Sequence, residues 1–191
     1  LTAESLQAQG YGRRTFRLDL DGNGKVRVHT VAYPKSGDEL RTMTGDALYA
    51  MLYGWVAEKF PVETGKNMVI MSFTRWNALA RRGLAHTALG GGGMGLFGSG
   101  TLYAWPRSLG EVDKAFGDAT EVDPATTFDD SAGRGTIWGN AATCLGAVLH
   151  EMGHTFHLPH TNDPFCIMSR GFDRFNRVFT AVEPPARGGR D

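Results

Sequence analysis

The chain has 191 residues, with 20 Lys plus Arg against 20 Asp plus Glu, so its formal net charge is zero. That balance argues against a nucleic-acid or anionic-membrane partner, whose phosphates call for a basic excess, and no apolar run approaches the roughly 18 residues of a membrane span. The length suffices to bury a core unaided, and two cysteines, Cys144 and Cys166, exclude both a disulfide framework and a four-cysteine zinc knuckle.

Leu1 is not an initiator methionine, so a trimmed or excised chain is expected, and the compartment stays open. Residues 14–29 alternate apolar and polar around Asp21-Gly22-Asn23-Gly24, which predicts a hairpin. Asp19, Asp21, Asn23 and Gly24 imitate half of a calcium loop. Its twelfth position would be Thr30 instead of Glu, and its flanks have the period of strands, so the hairpin is preferred.

Over residues 44–60 the period turns helical, with Leu48, Met51, Leu52, Trp55, Val56 and Phe60 recurring three or four apart, Thr44 as cap and Pro61 as stop. Residues 67–73 read as a buried strand, and 76–82 as a helical turn or two. Glycine is about twice its usual share, concentrated between Gly83 and Gly100, which predicts irregular backbone there. Gly93, Gly95 and Gly98 fit G-x-G-x-x-G but lead toward a strand-like 101–105. A pyrophosphate needs a helix N-terminus behind the glycines, so no nucleotide site is expected. Residues 111–134 are acidic and turn-rich, the pattern of a surface connection.

Residues 140–156 carry His150-Glu151-Met152-Gly153-His154, an H-E-x-x-H pattern. At about 100° per residue the two histidines stand about 40° apart on a helix, with Ala141, Leu145, Val148, Leu149, Met152 and Phe156 opposite. Imidazoles one turn apart can share one Zn²⁺, and Glu151 beside them is placed to accept a proton from water. Pro159 ends the helix near Phe156 or His157, and a turn there can return His160 as third ligand. Three protein ligands leave the open position that catalysis needs. An alternative stays open. His157, about 60° from His154, could bind instead of His160 or alongside it, and four histidines would make a non-catalytic, zinc-stabilised binding module.

The run His150-Glu-Met-Gly-His-Thr-Phe-His-Leu-Pro-His160 resembles the long zinc signature of the metzincin metalloendopeptidases, H-E-x-x-H-x-x-G-x-x-H. Cys166-Ile-Met168-Ser resembles their Met-turn, and residues 170–179 are similar to a segment of a poorly characterised zinc metallopeptidase family of fungi and animals. The resemblance implies an α+β fold over a single catalytic domain, 1–191. A twisted mixed sheet with a backing helix (44–60) and an active-site helix would form an upper lobe to about 156. A small lower lobe from 157 would hold the Met-turn and a last helix.

It further implies one catalytic Zn²⁺ on His150, His154 and His160, Glu151 as general base, Met168 as the turn methionine, and a peptide or protein substrate. That substrate would align on an edge strand through Gly100, Thr101, Leu102, Tyr103 and Ala104. Its side-chain pocket is expected around Thr161 and residues 168–175. One departure is His157 at the signature's glycine, where the turn wants positive φ. Histidine tolerates that region at a cost of about 1–2 kcal/mol.

The remaining features read as structural. His29 and His86 are solitary, and Phe172, Phe175, Val178 and Phe179 read as the packed face of a last helix. Cys144 and Cys166 read as buried thiols without a neighbouring base, whose pairing is open. The tail from Glu183 is expected to be loose.

Overall fold

In the computed structural model, which describes residues 2–189, the chain divides into two units, Leu1–Pro34 and Lys35–Asp191. The first unit holds helix α1 (Thr2–Ala8) and a short turn in place of the predicted hairpin. Leu20 and Val26 form an isolated bridge, and Asp21 Oδ1 accepts the backbone N–H groups of Asn23 and Lys25 at 2.8 and 2.9 Å. That carboxylate thus closes its own turn. The ladder stops there because a two-stranded ribbon has no second layer within the unit to cover Leu18 or Val28, which stay exposed.

The second unit begins with α2 (Gly37–Arg41) and α3 (Gly45–Lys59). Thr44 caps α3 by accepting the N–H of Ala47, Phe60 ends it before Pro61, and Leu48, Leu52 and Val56 are its buried face, as the period predicts. β1 (Asn67–Met71) is the predicted strand. The helical turn expected at 76–82 is instead an antiparallel pair, β2 (Arg75–Asn77) and β3 (Arg82–Leu84). Tertiary contacts decide this: the Trp76 ring packs on Phe128 at 5.4 Å and its Nε1–H donates to the Pro124 carbonyl.

The glycine-rich stretch is also regular. β4 (Ala88–Gly91) and β5 (Met94–Gly98) form a hairpin whose loop, Gly92-Gly93, has positive φ at both residues, as a two-residue hairpin turn demands. β1 pairs parallel to β5, so the small twisted mixed sheet has the order β1-β5-β4, with the fully buried β5 in the centre. The Tyr49 hydroxyl of α3 donates to the carbonyls of Gly91 and Met94, and that of Tyr53 to Gly92, tying helix to hairpin. The strand expected at 101–105 is a 3₁₀ turn, Leu102–Ala104, with Thr101 wholly buried.

The expected surface connection contributes core. α4 (Val112–Gly117) buries Phe116 against Trp138, Ala141 and Ala142 of α5 (Ile137–Thr155). Thr136 caps α5 by accepting the N–H of Gly139. The burial of α5 follows the predicted pattern in part: Ala141 is buried and Leu145 packs against the same core, but His150, Glu151 and Gly153 are buried too, whereas Val148, Leu149 and Met152 are half-buried and Phe156 is exposed. The polar face is covered because β4, β5 and the segment 170–178 all pack on this helix.

Two glycines permit that approach. A Cβ at Gly90 would meet the Glu151 carbonyl, and one at Gly146 would meet the Phe172 carbonyl.

Where a last helix was expected, Arg170–Val178 is 3₁₀ structure interrupted by non-helical backbone at Arg174. Phe175 joins the core, Val178 and Phe179 remain exposed, and Asn176 is fully buried. The tail is pinned down as far as Arg187: Glu183 pairs with Arg177, the Trp138 Nε1–H donates to the Pro185 carbonyl, and Arg187 N–H to that of Arg134. Among the described residues, no helix is long and apolar enough to cross a membrane.

Helix propensity alone makes Gly146→Ala stabilising by about 1 kcal/mol. The collision with the Phe172 carbonyl reverses the sign, and a net loss of about 1–3 kcal/mol is expected in urea unfolding. Any gain in stability would contradict the close packing described for α5.

Candidate metal centre

The last turn of α5 presents His150 and His154, and the chain must then reverse to bring up His160. It does so through a helix-ending motif: the N–H of His157 donates to the His154 carbonyl and that of Leu158 to the Gly153 carbonyl. This pairing requires a left-handed residue after the cap, and His157 supplies it at φ 63°. His157 is exposed at that corner and is not among the three histidines whose ring nitrogens converge, His150, His154 and His160.

The three Nε2 atoms form a triangle with every side 3.1 Å. The other ring nitrogens set the tautomers. His150 Nδ1 lies 2.7 Å from the Ile167 carbonyl and His154 Nδ1 lies 2.9 Å from that of Leu158. A carbonyl only accepts, so both Nδ1 atoms carry hydrogen, which leaves each Nε2 as the nitrogen open to a metal. In that tautomer two bare Nε2 acceptors at 3.1 Å are drawn together by a cation between them. Ligands at about 2.0–2.1 Å around a tetrahedral Zn²⁺ stand roughly 3.3 Å apart, so the donor set and its spacing fit that ion. Burial holds the His150 pKa below its ordinary value, reinforced by His154 and His160 and opposed by the Ile167 hydrogen bond.

Glu151 is 8% exposed, and burial alone pushes its carboxyl up to about 7. A cation held by the neighbouring histidines opposes that shift. Met168 is buried against Gly153, and its carbonyl accepts the N–H of Thr161, which ties the stretch after His160 to the turn that carries Ile167. The Phe172 ring meets the His150 ring edge-on at 5.1 Å.

The residues expected to align a substrate, Gly100, Thr101, Leu102, Tyr103 and Ala104, do not form a strand. Tyr103 is instead tied to the Phe128 carbonyl. The strand that packs on Glu151 is β4, an edge of the sheet. Beside His150 and Glu151 opens a cavity of about 290 Å³ that Ala88, Asp130, Thr143, Arg170, Phe172 and Asp173 help to line. Arg170, Phe172 and Asp173 fall where the pocket was expected, but Thr161 does not line it. Asp130 was missed because an acidic run in sequence looks like a solvated face.

Cys144 is buried and its thiol is pushed up to about 12, chiefly by desolvation. Both cysteines are free.

The family described as "Putative peptidase family" matches the chain over residues 1–190. A Schizosaccharomyces pombe protein named "Putative zinc metalloproteinase" is 33% identical over 200 residues, which cover 95% of this chain and 32% of that protein. A Saccharomyces cerevisiae protein of the same description is 36% identical over 114 residues, covering 58% of this chain and 16% of its own length. The chain thus spans a minor part of the curated relatives it matches. No solved structure matches it.

The Glu151 shift has a definite sign in the metal-free protein. Its carboxyl titrates near the ordinary 4.5 when unfolded and near 7 when folded, so between these values the native state keeps a proton that the unfolded state has lost. Stability contributed by Glu151 therefore falls as pH rises through this window. Urea unfolding of wild type and Glu151→Gln in chelator should show the variant gaining relative stability from pH 4.5 to 7; a constant difference would refute the shift.

Proposed function

We propose, from the premise that the chain belongs to the "Putative peptidase family", that it carries the catalytic domain of a zinc endopeptidase of metzincin type. His150, His154 and His160 would hold the ion, and the observation that carries this is their three Nε2 atoms at 3.1 Å beside a buried glutamate. A zinc ion there supplies Lewis acidity to the scissile carbonyl and to the attacking water.

The chain's own residues do the rest. The Glu151 carboxylate takes the proton of the attacking water and delivers it to the leaving nitrogen as the C–N bond breaks. Ile167 and Leu158 carbonyls hold the His150 and His154 rings in the tautomer that directs Nε2 inward. Met168, against Gly153, is the turn methionine beneath the site.

The substrate-aligning role expected of residues 100–104 is assigned here to β4. As an edge strand in contact with Glu151, it offers its backbone to an extended peptide. On this reading the domain divides into an upper lobe to about 156 and a lower lobe from 157, with the site between α5 and the turn that follows it. The left-handed His157 at the outer corner speaks against a closed, four-histidine site.

Glu151→Gln should bind one zinc per chain yet lose about 10²–10⁴-fold in peptide cleavage, whereas His154→Ala should lose both metal and activity. Metal analysis and a quenched-peptide assay, with chelator and zinc re-addition, measure this. Wild-type cleavage rates in purified Glu151→Gln would overturn the assignment.

A further inference from the structure

We propose that the cavity beside Glu151 is a recognition pocket for a lysine or arginine side chain next to the scissile bond, with Asp130 and Asp173 as its specificity-determining residues. This rests on the peptidase reading and names the substrate class of the same site.

The shape comes first. The cavity of about 290 Å³ follows α5 from Glu151 and His150 past Ala147 to Thr143. Eight residues of helix separate Glu151 from Thr143, about 12 Å at 1.5 Å per residue, so the space is long. Ala88, Ala132 and Ala147 contribute walls without bulk. A slender, extended side chain fits that outline.

The far end carries two carboxylates, with the Arg134 guanidinium behind them. Asp130 is anchored beside this part of α5 by its backbone: its N–H donates to Asn140 Oδ1 at 2.8 Å, and its carbonyl accepts the Cys144 thiol at 3.7 Å. Asp173 is placed likewise, since one Arg134 nitrogen donates both to the Asp173 carbonyl and to Thr143 Oγ1, each at 2.6 Å. Both aspartates line the cavity, the Asp130 side chain 47% exposed and that of Asp173 14%. Asp130 Oδ2 accepts a long contact of 3.4 Å from His86 Nε2. Asp173 Oδ1 is buried with no hydrogen-bond partner, so this carboxylate meets a cation through Oδ2.

Among the described residues, Arg170 is the one lysine or arginine lining the cavity, and it already performs the proposed chemistry. Its guanidinium meets Asp173 Oδ2 at 2.6 Å and lies over the Phe172 ring at 4.9 Å. With its side chain 66% exposed, it stands toward solvent and competes with a substrate's cation for Asp173. The Asp130 carboxylate has only the long His86 contact among the described residues. An uncharged side chain would desolvate these carboxylates without replacing their water, and an acidic one would add repulsion.

The test is cleavage of a peptide library by zinc-loaded wild type, scored as the ratio of basic to uncharged residues beside the cut. That ratio should favour Lys and Arg, fall about tenfold or more in Asp130→Asn, rise in Arg170→Ala, and invert toward acidic residues in Asp130→Lys. A second readout needs no catalysis: butylguanidinium should bind chelator-treated wild type in saturation-transfer NMR, more weakly in Asp130→Asn, while butylurea should not. Chelator-sensitive cleavage with no basic preference, or a preference unchanged in Asp130→Asn, would overturn this inference and leave the peptidase reading standing. No cleavage with or without zinc would overturn both.

Discussion

Three imidazole nitrogens 3.1 Å apart, two of them on rings whose other nitrogen is held by a carbonyl, make an arrangement suited to a shared cation. The elements around it serve that convergence. α5 provides two nitrogens by helical spacing, the reversal after Phe156 returns the third, and the turn at 163–169 supplies the carbonyl that orients His150. Loosening any one of these parts would spoil the triangle without altering its chemistry.

Close backbone contact is what makes the convergence rigid. β4 approaches α5 at Gly90, and the 170–178 segment approaches it from another side at Gly146, so the active helix is held by backbone as well as by side chains. The same enclosure removes water from Glu151 and raises its pKa toward neutrality. Structural tightness and the raised pKa of Glu151 therefore have one origin. The half-buried Val148, Leu149 and Met152 show that the C-terminal half of this helix is clamped on its polar side, while its N-terminal half sits on the core through Trp138, Ala141 and Ala142.

Charge is distributed with equal economy. A chain of zero net charge gathers Asp130, Asp173 and Glu151 around one cavity and sets Arg170 among them. Composition averages such local concentrations away, which is why overall neutrality is silent about the chemistry of a single cleft.

The sequence alone determined what depends on neighbours along the chain. Helix α3 with its Thr44 cap, α5 with its two histidines, and the halt before Pro159 all follow from local geometry, which a few residues settle among themselves. Tertiary structure decided the rest. β2 and β3 exist because Trp76 finds Phe128, the glycines of 88–98 are strands because a helix lies against them, and Arg170–Val178, a segment packed along α5, is broken 3₁₀ structure in place of a helix. Asp130 reaches Glu151's cavity across twenty positions of sequence. Periodicity reports which face of an element is apolar, but not which distant backbone will come close enough to require a glycine or share a pocket, because that is a property of packing in three dimensions.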